Sequence, residues 1–528
     1  MTGRPTTLAF NGMIATPHYL ASTTGLDILR DGGSAMDAVI AANAVLTTVY
    51  PDQTSIGGDC FLIYFEAASG RLHGLNGSGR APARAERAAL RAAGNDAMPR
   101  RGIHAVTVPG TIDAWSAALE RFGRFGLDRL LQPAIGYARE GFPVSPRLSA
   151  GITAARTMLE ADPATRAIYL PNGDVPRPGQ RLRLPDLAAT LEQIARGGRD
   201  VFYMGEIAER IDATSRRLNG PLASDDLAGH RAEWVEPVTT EYRGVTVAEL
   251  PPNSQGVTAL LALNLVEQVT LPDDWGAADH LHPLIEAKKL AFAVRDAELA
   301  DPALVPIDAL RWASKPYAQN LWRSYDAARA SSGAMADVGD TVYLCAVDRD
   351  GNAASLIQSI YQGFGSGIVV DGTGIILQNR GVAFSLDDDH PNRLEPSKRP
   401  RHTLMPGMLL RDGKLLGPFG TQGGDAQAQV HLQLVTNLVD YAMEPQTAIE
   451  APRWLAGGGP EDDPRTVELE AGFPARTVEG LTGRGHQIRE RGVWDSGFGH
   501  AQMILRDDGS GLLRGGADPR ADGVALGY

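Results

Sequence analysis

The stretch from Gly339 to Gly367 decides how this chain is interpreted. It reads Gly339-Asp340-Thr341-Val342-Tyr343-Leu344-Cys345-Ala346-Val347-Asp348-Arg349-Asp350-Gly351-Asn352-Ala353-Ala354-Ser355-Leu356-Ile357-Gln358-Ser359-Ile360-Tyr361-Gln362-Gly363-Phe364-Gly365-Ser366-Gly367. Two apolar runs, at 342–347 and 353–360, flank a turn that contains Asp350-Gly351 and predict a pair of adjacent strands. A glycine-rich loop follows them.

Thr341 stands where a polar run, from Ser331 to Asp340, ends and the first strand begins. As an ordinary strand-opening residue it would carry no chemistry. If the peptide bond before it were cut, it would carry a hydroxyl nucleophile and a free α-amine able to act as its general base. From the local sequence alone, both interpretations stay open.

The composition is typical of a soluble globular protein, with 43% hydrophobic and 21% charged residues. A net charge of −13 argues against nucleic acid and against anionic membrane surfaces as partners. The first residues contain no apolar signal-peptide core and no later run reaches membrane-spanning length, so a cytoplasmic location without a membrane partner is expected. Cys60 and Cys345 lie among apolar residues and are expected to be buried thiols.

Periodicity and turn signals predict helices and strands in alternating blocks. The expected helices lie at 18–30, 38–49, 111–121, 127–140, 184–195 and 426–440, with further helices to about 329. The expected strands lie at 60–65, 72–75, 342–347, 353–360, 375–377 and 408–411. Residues 330–339 are expected to form an exposed linker. This order predicts an α+β protein in which helices cover two stacked, mostly antiparallel sheets.

Other chemistries have weak sequence support. GxSxG, P-loop and HExxH motifs are absent. His280-Leu281-His282 offers two imidazoles, but Pro283 follows and a structural or surface role is favoured. The Asp387-Asp388-Asp389-His390 run is interpreted as a solvated loop, so no metal is expected. Gly423-Gly424 precedes a predicted helix, where backbone N–H groups could stabilise an oxyanion, although such a pair is more often only a turn.

Ordered sequence blocks extend along nearly the whole chain. Before Thr341 they are Gly-Gly-Ser-Ala-Met-Asp-Ala at 32–38, Ser-Ile-Gly-Gly-Asp at 55–59, Val-Pro-Gly-Thr at 108–111, Gln-Pro-Ala at 132–134 and Glu-Gly-Phe at 140–142. From Asp340 onward they are Asp-Thr at 340–341, Asp-Arg-Asp-Gly-Asn-Ala at 348–353, Phe-Gly-Ser-Gly at 364–367, Lys-Arg-Pro at 398–400, Gly-Gly at 423–424 and Ala-Pro-Arg at 451–453. Together these blocks resemble the γ-glutamyltranspeptidase family of N-terminal-nucleophile hydrolases.

The resemblance implies an αββα sandwich, made as a proenzyme that cleaves itself between Asp340 and Thr341. The products would be a large subunit, 1–340, and a small subunit, 341–528, of about 36 and 20 kDa by proportion of 56.2 kDa. They would stay together as a heterodimer in one domain. Thr341 would attack the amide of a small-molecule substrate and form an acyl-enzyme, which water or an amine resolves without a cofactor or metal.

The resemblance also implies roles for residues around Thr341. Gly423 and Gly424 align with the family's oxyanion-hole glycines. Ser359 aligns with a hydroxyl that contacts the new threonine amine and assists processing.

Several positions depart from the pattern of γ-glutamyl enzymes. Where the family places an arginine that binds the substrate α-carboxylate, this chain has Ser78, and Arg80 is the nearest arginine. The two positions that grip the substrate α-ammonium are Arg380 and Ala383. Arg380 would repel an ammonium, whereas a guanidinium suits a carboxylate. A salt bridge from Arg380 to an acidic neighbour is the structural alternative.

Tyr361 replaces a family asparagine, and His402-Thr403 replace a serine pair. The candidate substrate-binding residues are therefore Arg80, Tyr361, Arg380, His402 and Thr403. The pattern is most similar to cytoplasmic γ-glutamyltransferase-like amidohydrolases and acylases of the oxamate amidohydrolase and cephalosporin acylase types. We expect a self-processing amidohydrolase whose acyl group carries a carboxylate. A true γ-glutamyltranspeptidase and an unprocessed, non-catalytic binding protein are the alternatives.

Overall fold

The computed structural model describes residues 3–332, 339–457 and 463–528. Within these ranges the chain forms two seven-stranded sheets that stack face to face, with helices on both outer faces. Every strand pair in the two sheets is antiparallel. The expected α+β class, an αββα sandwich, is confirmed. The expected linker at 330–339 falls in part on 333–338, which lie outside the described residues.

The strands of the described residues build the two large sheets and two smaller sheets. They are β1 (Thr7–Ala9), β2 (Met13–Thr16), β3 (Asp59–Glu66), β4 (Arg71–Gly77), β5 (Phe142–Pro143), β6 (Arg181–Leu182), β7 (Glu233–Val235), β8 (Val238–Tyr242), β9 (Val245–Glu249), β10 (Asp340–Val347), β11 (Ala353–Tyr361), β12 (Gly407–Arg411), β13 (Lys414–Thr421), β14 (Trp454–Ala456), β15 (Thr466–Glu470), β16 (Gln487–Arg491), β17 (Ala501–Arg506), β18 (Leu513–Ala517) and β19 (Val524–Gly527). The first sheet has the order β1-β18-β17-β13-β12-β9-β8, and the second has the order β19-β2-β10-β11-β3-β4-β7. A three-stranded sheet contains β14, β15 and β16, and a two-stranded sheet contains β5 and β6. Each large sheet contains strands from both sides of Asp340, so the two parts of the chain share both large sheets.

Helices of very different lengths cover the sheets. They are α1 (Tyr19–Arg30), α2 (Ala35–Val49), α3 (Arg87–Ala92), α4 (Thr111–Phe122), α5 (Leu127–Leu130), α6 (Gln132–Glu140), α7 (Pro146–Ala161), α8 (Pro163–Tyr169), α9 (Pro185–Tyr203), α10 (Glu206–Arg217), α11 (Ser224–Ala228), α12 (Gly256–Val266), α13 (Ala278–Glu298), α14 (Ala309–Trp312), α15 (Lys315–Trp322), α16 (Ala426–Val439), α17 (Pro445–Glu450) and α18 (Ala475–Gly483). No helix in the described ranges is long and apolar enough to cross a membrane.

Strand β10 is buried on both faces, and its alternating side chains enter two different cores. Val342, Leu344 and Ala346 pack toward the helices of the N-terminal half. Tyr343, Cys345 and Val347 pack between the two sheets. A period of two therefore places one set of side chains in each apolar layer, which fixes β10 at the centre of the sandwich.

Helix α2 has apolar residues on every face and lies inside the protein. All fifteen of its residues are buried, and it packs on β10 and β11. A capping box begins the helix: the Asp37 N–H donates to Ser34 Oγ at 3.2 Å, and the Ser34 N–H donates to Asp37 Oδ2 at 2.7 Å.

The predicted all-helical middle of the chain was wrong in one segment, because β7, β8 and β9 lie there. In β8, buried Val238, Thr240 and Tyr242 alternate with exposed residues. Arg243 and Gly244, with φ of 48° and 81°, then close a two-residue hairpin into β9. The alternation of β-branched residues is a strand signal that the helical neighbours obscured.

Two smaller predictions also differ from the structure. The helix expected at 127–140 is divided into α5 and α6, and Pro133 lies in the first turn of α6, where its missing N–H is tolerated. Residues 375–377 form only isolated bridges, to Val369 and Gly57.

Candidate active site

Thr341 lies at the start of β10 and is 1% exposed. Asp340 pairs with Tyr361 across the ladder to β11, and the pairing register shifts between Asp340 and Val342. Thr341 therefore occupies an irregular position in an otherwise regular ladder, where local geometry is set by a bulge.

The Thr341 hydroxyl is surrounded by groups from its own strand and from β11. Thr341 Oγ1 lies 2.7 Å from the carbonyl oxygen of Asp340 and 3.3 Å from Ser359 Oγ. Ser359 Oγ donates to the same Asp340 carbonyl at 2.6 Å and accepts from the Tyr361 N–H at 2.7 Å. Two side-chain hydroxyls thus converge on one peptide carbonyl.

Tyr361 follows this pair in a backbone conformation unusual for its type. Its φ is 78°, in the left-handed region that a bulky residue rarely adopts. Such strain is held only where the surroundings impose it, and it clusters at functional sites. The conformation lets the Tyr361 N–H reach Ser359 Oγ while its ring lies under Arg380.

The Gly423-Gly424 turn lies close to the segment that precedes Thr341. It connects β13 to α16, and its residues have φ of 133° and 58°. A Cβ built on Gly339 would lie 3.1 Å from the Gly424 Cα. Gln255 fixes the turn, since its Nε2 donates to the Gly424 carbonyl at 3.0 Å. The structure thus brings the two predicted glycines to the neighbourhood of Thr341.

Arg380 is fully buried, and only one of its three guanidinium nitrogens has a hydrogen-bond partner among the described residues. Its Nη1 donates to Thr403 Oγ1 at 3.0 Å, and its guanidinium carbon lies 4.1 Å from the centre of the Tyr361 ring. Its Nε and Nη2 have no hydrogen-bond partner among the described residues. Burial lowers the pKa of Arg380 to about 10, against the weaker opposing influence of Tyr361 and Asp59. The salt bridge considered as a structural alternative is not formed with any described acidic residue.

Comparison with known proteins identifies the family. The gamma-glutamyltranspeptidase family model matches residues 21–528. The chain belongs to the gamma-glutamyltranspeptidase family.

The relatives of the chain include hydrolases and acylases of this family. A glutathione hydrolase-like proenzyme (YwrD) of Bacillus subtilis strain 168 is 42% identical, over 98% of this chain and 98% of that protein. An oxamate amidohydrolase proenzyme of Klebsiella pneumoniae is 38% identical over 98% of each chain. The crystal structure of a cephalosporin acylase from Bacillus halodurans superimposes with a TM-score of 0.94 at 40% identity, covering 100% of this chain and 98% of that one. The chain is thus an N-terminal-nucleophile amidohydrolase of this family, and its relatives are proenzymes.

His402 lies near Arg380, but both of its ring nitrogens form hydrogen bonds within the protein. Its Nε2 donates to Asp59 Oδ2 at 3.0 Å, and its Nδ1 accepts from the Leu404 N–H at 3.2 Å. Burial, followed by the charge of Arg380, lowers the pKa of His402 to about 4, although Asp59 opposes this shift. The ring is therefore neutral at pH 7 and both nitrogens are used internally. The structure places Thr403, and not His402, against Arg380.

Arg80 forms salt bridges with acidic residues away from Arg380 and Thr403. Its guanidinium contacts Asp301 at 3.2 Å and Glu233 at 3.3 Å, and its side chain is 34% exposed. None of its recorded contacts is with Thr341, Arg380 or the Gly423-Gly424 turn. The structure therefore does not bring Arg80 together with the other predicted binding residues.

Two supporting groups were missed by the sequence analysis. Asp59 is completely buried, and its Oδ1 accepts from the Gly79 N–H at 3.0 Å and from Gln378 Nε2 at 2.9 Å. Arg295 is 1% exposed, pairs with Asp425 at 2.9 Å and donates to Gln255 Oε1 at 3.0 Å. Asp59 belongs to the Ser-Ile-Gly-Gly-Asp block at 55–59, so the sequence could have identified it as a site residue. Arg295 lies on the long helix α13, outside the quoted blocks, and no sequence pattern identified it.

His280 and His282, on α13, form hydrogen bonds that are typical of a structural role. His280 Nδ1 accepts from the Gly276 N–H at 2.9 Å. His282, Glu286 and His486 do cluster, but His282 Nδ1 lies 2.8 Å from His486 Nε2. Lys289 Nζ already pairs with Glu286 at 2.8 Å. A cation there would have to displace an ammonium, so the donor set does not fit a resident metal.

The Arg380 nitrogens that have no partner among the described residues predict a stability effect. Replacing Arg380 with Met should raise the free energy of unfolding by about 1–2 kcal/mol, because a desolvated guanidinium with unpaired nitrogens is exchanged for an apolar chain of similar volume. Urea titration of the uncleaved Thr341→Ala background measures this on a single chain.

Arg295→Met is the matched control, since Arg295 is equally buried but its partner Asp425 would be left behind. It should lower the free energy of unfolding by about 3 kcal/mol. Equal destabilisation by both substitutions would contradict the description of Arg380 as only partly hydrogen-bonded.

Proposed function

We propose that the chain cleaves itself between Asp340 and Thr341 and then hydrolyses amides through an acyl-enzyme on Thr341. The observation that carries the proposal is the placement of Thr341 Oγ1, 2.7 Å from the Asp340 carbonyl oxygen, with Ser359 donating to that same oxygen. The family membership and the proenzyme relatives support it.

Processing follows from this arrangement by an N-to-O acyl shift. Thr341 Oγ1 attacks the Asp340 carbonyl carbon, and the hydroxyl proton passes to the departing amide nitrogen. The peptide bond is thereby exchanged for an ester between Asp340 and the Thr341 side chain. Hydrogen bonding from Ser359 stabilises the negative charge that develops on the carbonyl oxygen. Water then hydrolyses the ester, which leaves a carboxylate on Asp340 and a free amine on Thr341.

Turnover repeats this chemistry on an external amide. The freed Thr341 amine takes the hydroxyl proton while Oγ1 attacks the substrate carbonyl carbon. Backbone N–H groups of Gly423 and Gly424 stabilise the oxyanion, and the amine half of the substrate departs with the proton. Water resolves the ester on Thr341 and releases the acid.

The acyl group is proposed to carry a carboxylate that binds Arg380. Two guanidinium nitrogens that have no hydrogen-bond partner among the described residues match the two oxygens of a carboxylate, and burial strengthens that pairing. Thr403 and Tyr361 orient the guanidinium. An α-ammonium in the same place would be repelled by a charge that no described carboxylate neutralises. The relative named oxamate amidohydrolase agrees with this chemistry, since oxamate carries a carboxylate next to its amide.

Thr341→Ala should abolish both processing and activity. A denaturing gel should then show one band at 56.2 kDa, in place of fragments of about 36 and 20 kDa estimated from chain proportions. Thr341→Ser is the control, since it keeps the hydroxyl and should still cleave. Cleavage of Thr341→Ala at Asp340 would show that another residue is the nucleophile.

Glutaryl and γ-glutamyl anilides form a matched substrate pair, because they differ only by the α-ammonium. The glutaryl compound should have a kcat/KM at least about tenfold higher, equivalent to about 1.4 kcal/mol. Arg380→Met should remove this preference, whereas Arg80→Met should leave it unchanged. A γ-glutamyl preference in the processed protein would favour a true γ-glutamyltranspeptidase and contradict the proposal.

A further inference from the structure

A cavity of about 630 Å³ opens beside the proposed cleavage junction, on the side of Asp340. The first turns of α7 form one wall, and the loop at Gly363 and Phe364 forms another. Its charged lining consists of Asp52, Arg101, Arg147 and Asp340. Arg380 and Thr403 do not line it, so this cavity is separate from the proposed Arg380 subsite.

The Asp340 side chain lines this cavity, and its carboxylate takes one position at the cavity wall that a bound carboxylate could take instead. The Gln53 side chain, the Gly363 N–H and the charge of Arg147 all favour its ionised form, although burial outweighs them and raises the pKa of Asp340. A Cβ on Gly363 would lie only 3.0 Å from Asp340 Oδ2, so only glycine leaves the carboxylate its full space.

Arg101 and Arg147 differ in their hydrogen-bond partners. Arg147 Nε is hidden from solvent and has no hydrogen-bond partner among the described residues. Arg101 Nη1 donates to the Gly363 carbonyl at 2.7 Å and also contacts the Gly365 carbonyl. Two backbone carbonyls thereby hold Arg101 in place, whereas Arg147 contributes its positive charge to the Asp340 carboxylate.

The charge balance of the cavity changes when Asp340 leaves. In the continuous chain, two arginines face two carboxylates. After cleavage Asp340 is a chain end and carries a second carboxylate, which a buried position disfavours. Its departure would leave Arg101 and Arg147 with Asp52, whose pKa burial raises to about 6 despite the neighbouring Arg147. The emptied cavity is then short of one negative charge.

We propose that the emptied cavity binds a second carboxylate of the substrate, and that the Asp340 side chain fills this subsite until the chain is cleaved. The inference rests on the proposed function for the role of Thr341. The carboxylate could belong to the acyl half, three bonds from the carbonyl carbon as in Asp340 itself, or to the amine half. Both sources share the chemistry of a small carboxylate that accepts hydrogen bonds from Gln53, Gly363 and Arg147.

The first test needs no turnover and uses acetate as the probe. In full-length Thr341→Ala the Asp340 carboxylate occupies the proposed carboxylate position in the cavity, and in Asp340→Gly/Thr341→Ala this position is vacant. Acetate titration followed by NMR should give a Kd at least tenfold lower for the double variant. Adding Arg147→Gln should remove that gain, and acetamide should bind both proteins equally weakly.

Acetate binding that is equal in the two proteins, or matched by acetamide, would overturn the proposal whether or not the processed protein hydrolyses amides. Because Arg147→Gln could disturb folding, Gln53→Ala tests the same subsite through a neutral donor and should weaken acetate binding at least threefold. Unchanged binding in both variants would also overturn it.

The second test identifies the source of the carboxylate in processed protein. Succinamate carries it on the acyl half with the spacing of Asp340, and N-acetylglycine carries it on the amine half. The probe that occupies the cavity should lose at least tenfold in affinity on Arg147→Gln, while the other should change less than threefold. If neither affinity changes, the cavity is not a substrate subsite.

Discussion

Burial of β10 on both faces is the constraint on which the remaining structure depends. Alternate side chains of this strand anchor two apolar layers, so the strand cannot shift along its axis without exposing one set or the other. Its first residues, Asp340 and Thr341, are consequently held in place by the core of the protein. The register shift at this end lets the chain leave the ladder while the Thr341 hydroxyl stays beside the Asp340 carbonyl. Precise placement of the proposed nucleophile is thus obtained from ordinary sandwich packing.

Around this fixed point, the chain keeps buried guanidinium nitrogens that have no hydrogen-bond partner among the described residues. Arg380 is fully buried, with two nitrogens unpaired among the described residues, and Arg147 holds a hidden Nε in the same condition. Leaving buried donors unpaired lowers the stability of the free protein. In contrast, Arg295 has Asp425 and Gln255 as partners. This difference is the basis for proposing Arg380 and Arg147, and not Arg295, as binding residues for substrate carboxylates.

The sequence allowed the strand pair around Thr341 and the helix at 38–49 to be predicted, because each depends on local periodicity and turn chemistry. The expectation that Gly423-Gly424 lie near Thr341 came only from the family resemblance. The environment of each binding candidate was harder to predict. Arg80, His402 and Arg380 are all polar residues near motif blocks, yet one pairs with Asp301, one with Asp59 and one with no described carboxylate. These outcomes depend on contacts between segments more than 200 residues apart, such as Arg80 with Asp301 and His402 with Asp59, which a local pattern does not encode. The hairpin β8–β9 was missed for a simpler reason: its alternation is short and lies between long helices.

The most direct test of the account is intact-mass spectrometry of the processed protein, acid-quenched during turnover of a glutaryl amide. The account predicts a small subunit that begins at Thr341 and gains the mass of one glutaryl group, with peptide fragmentation placing the group on Thr341. The large subunit should keep its mass. An acyl group found on any other residue, or turnover by a full-length chain that was never cleaved, would contradict the central role of Thr341.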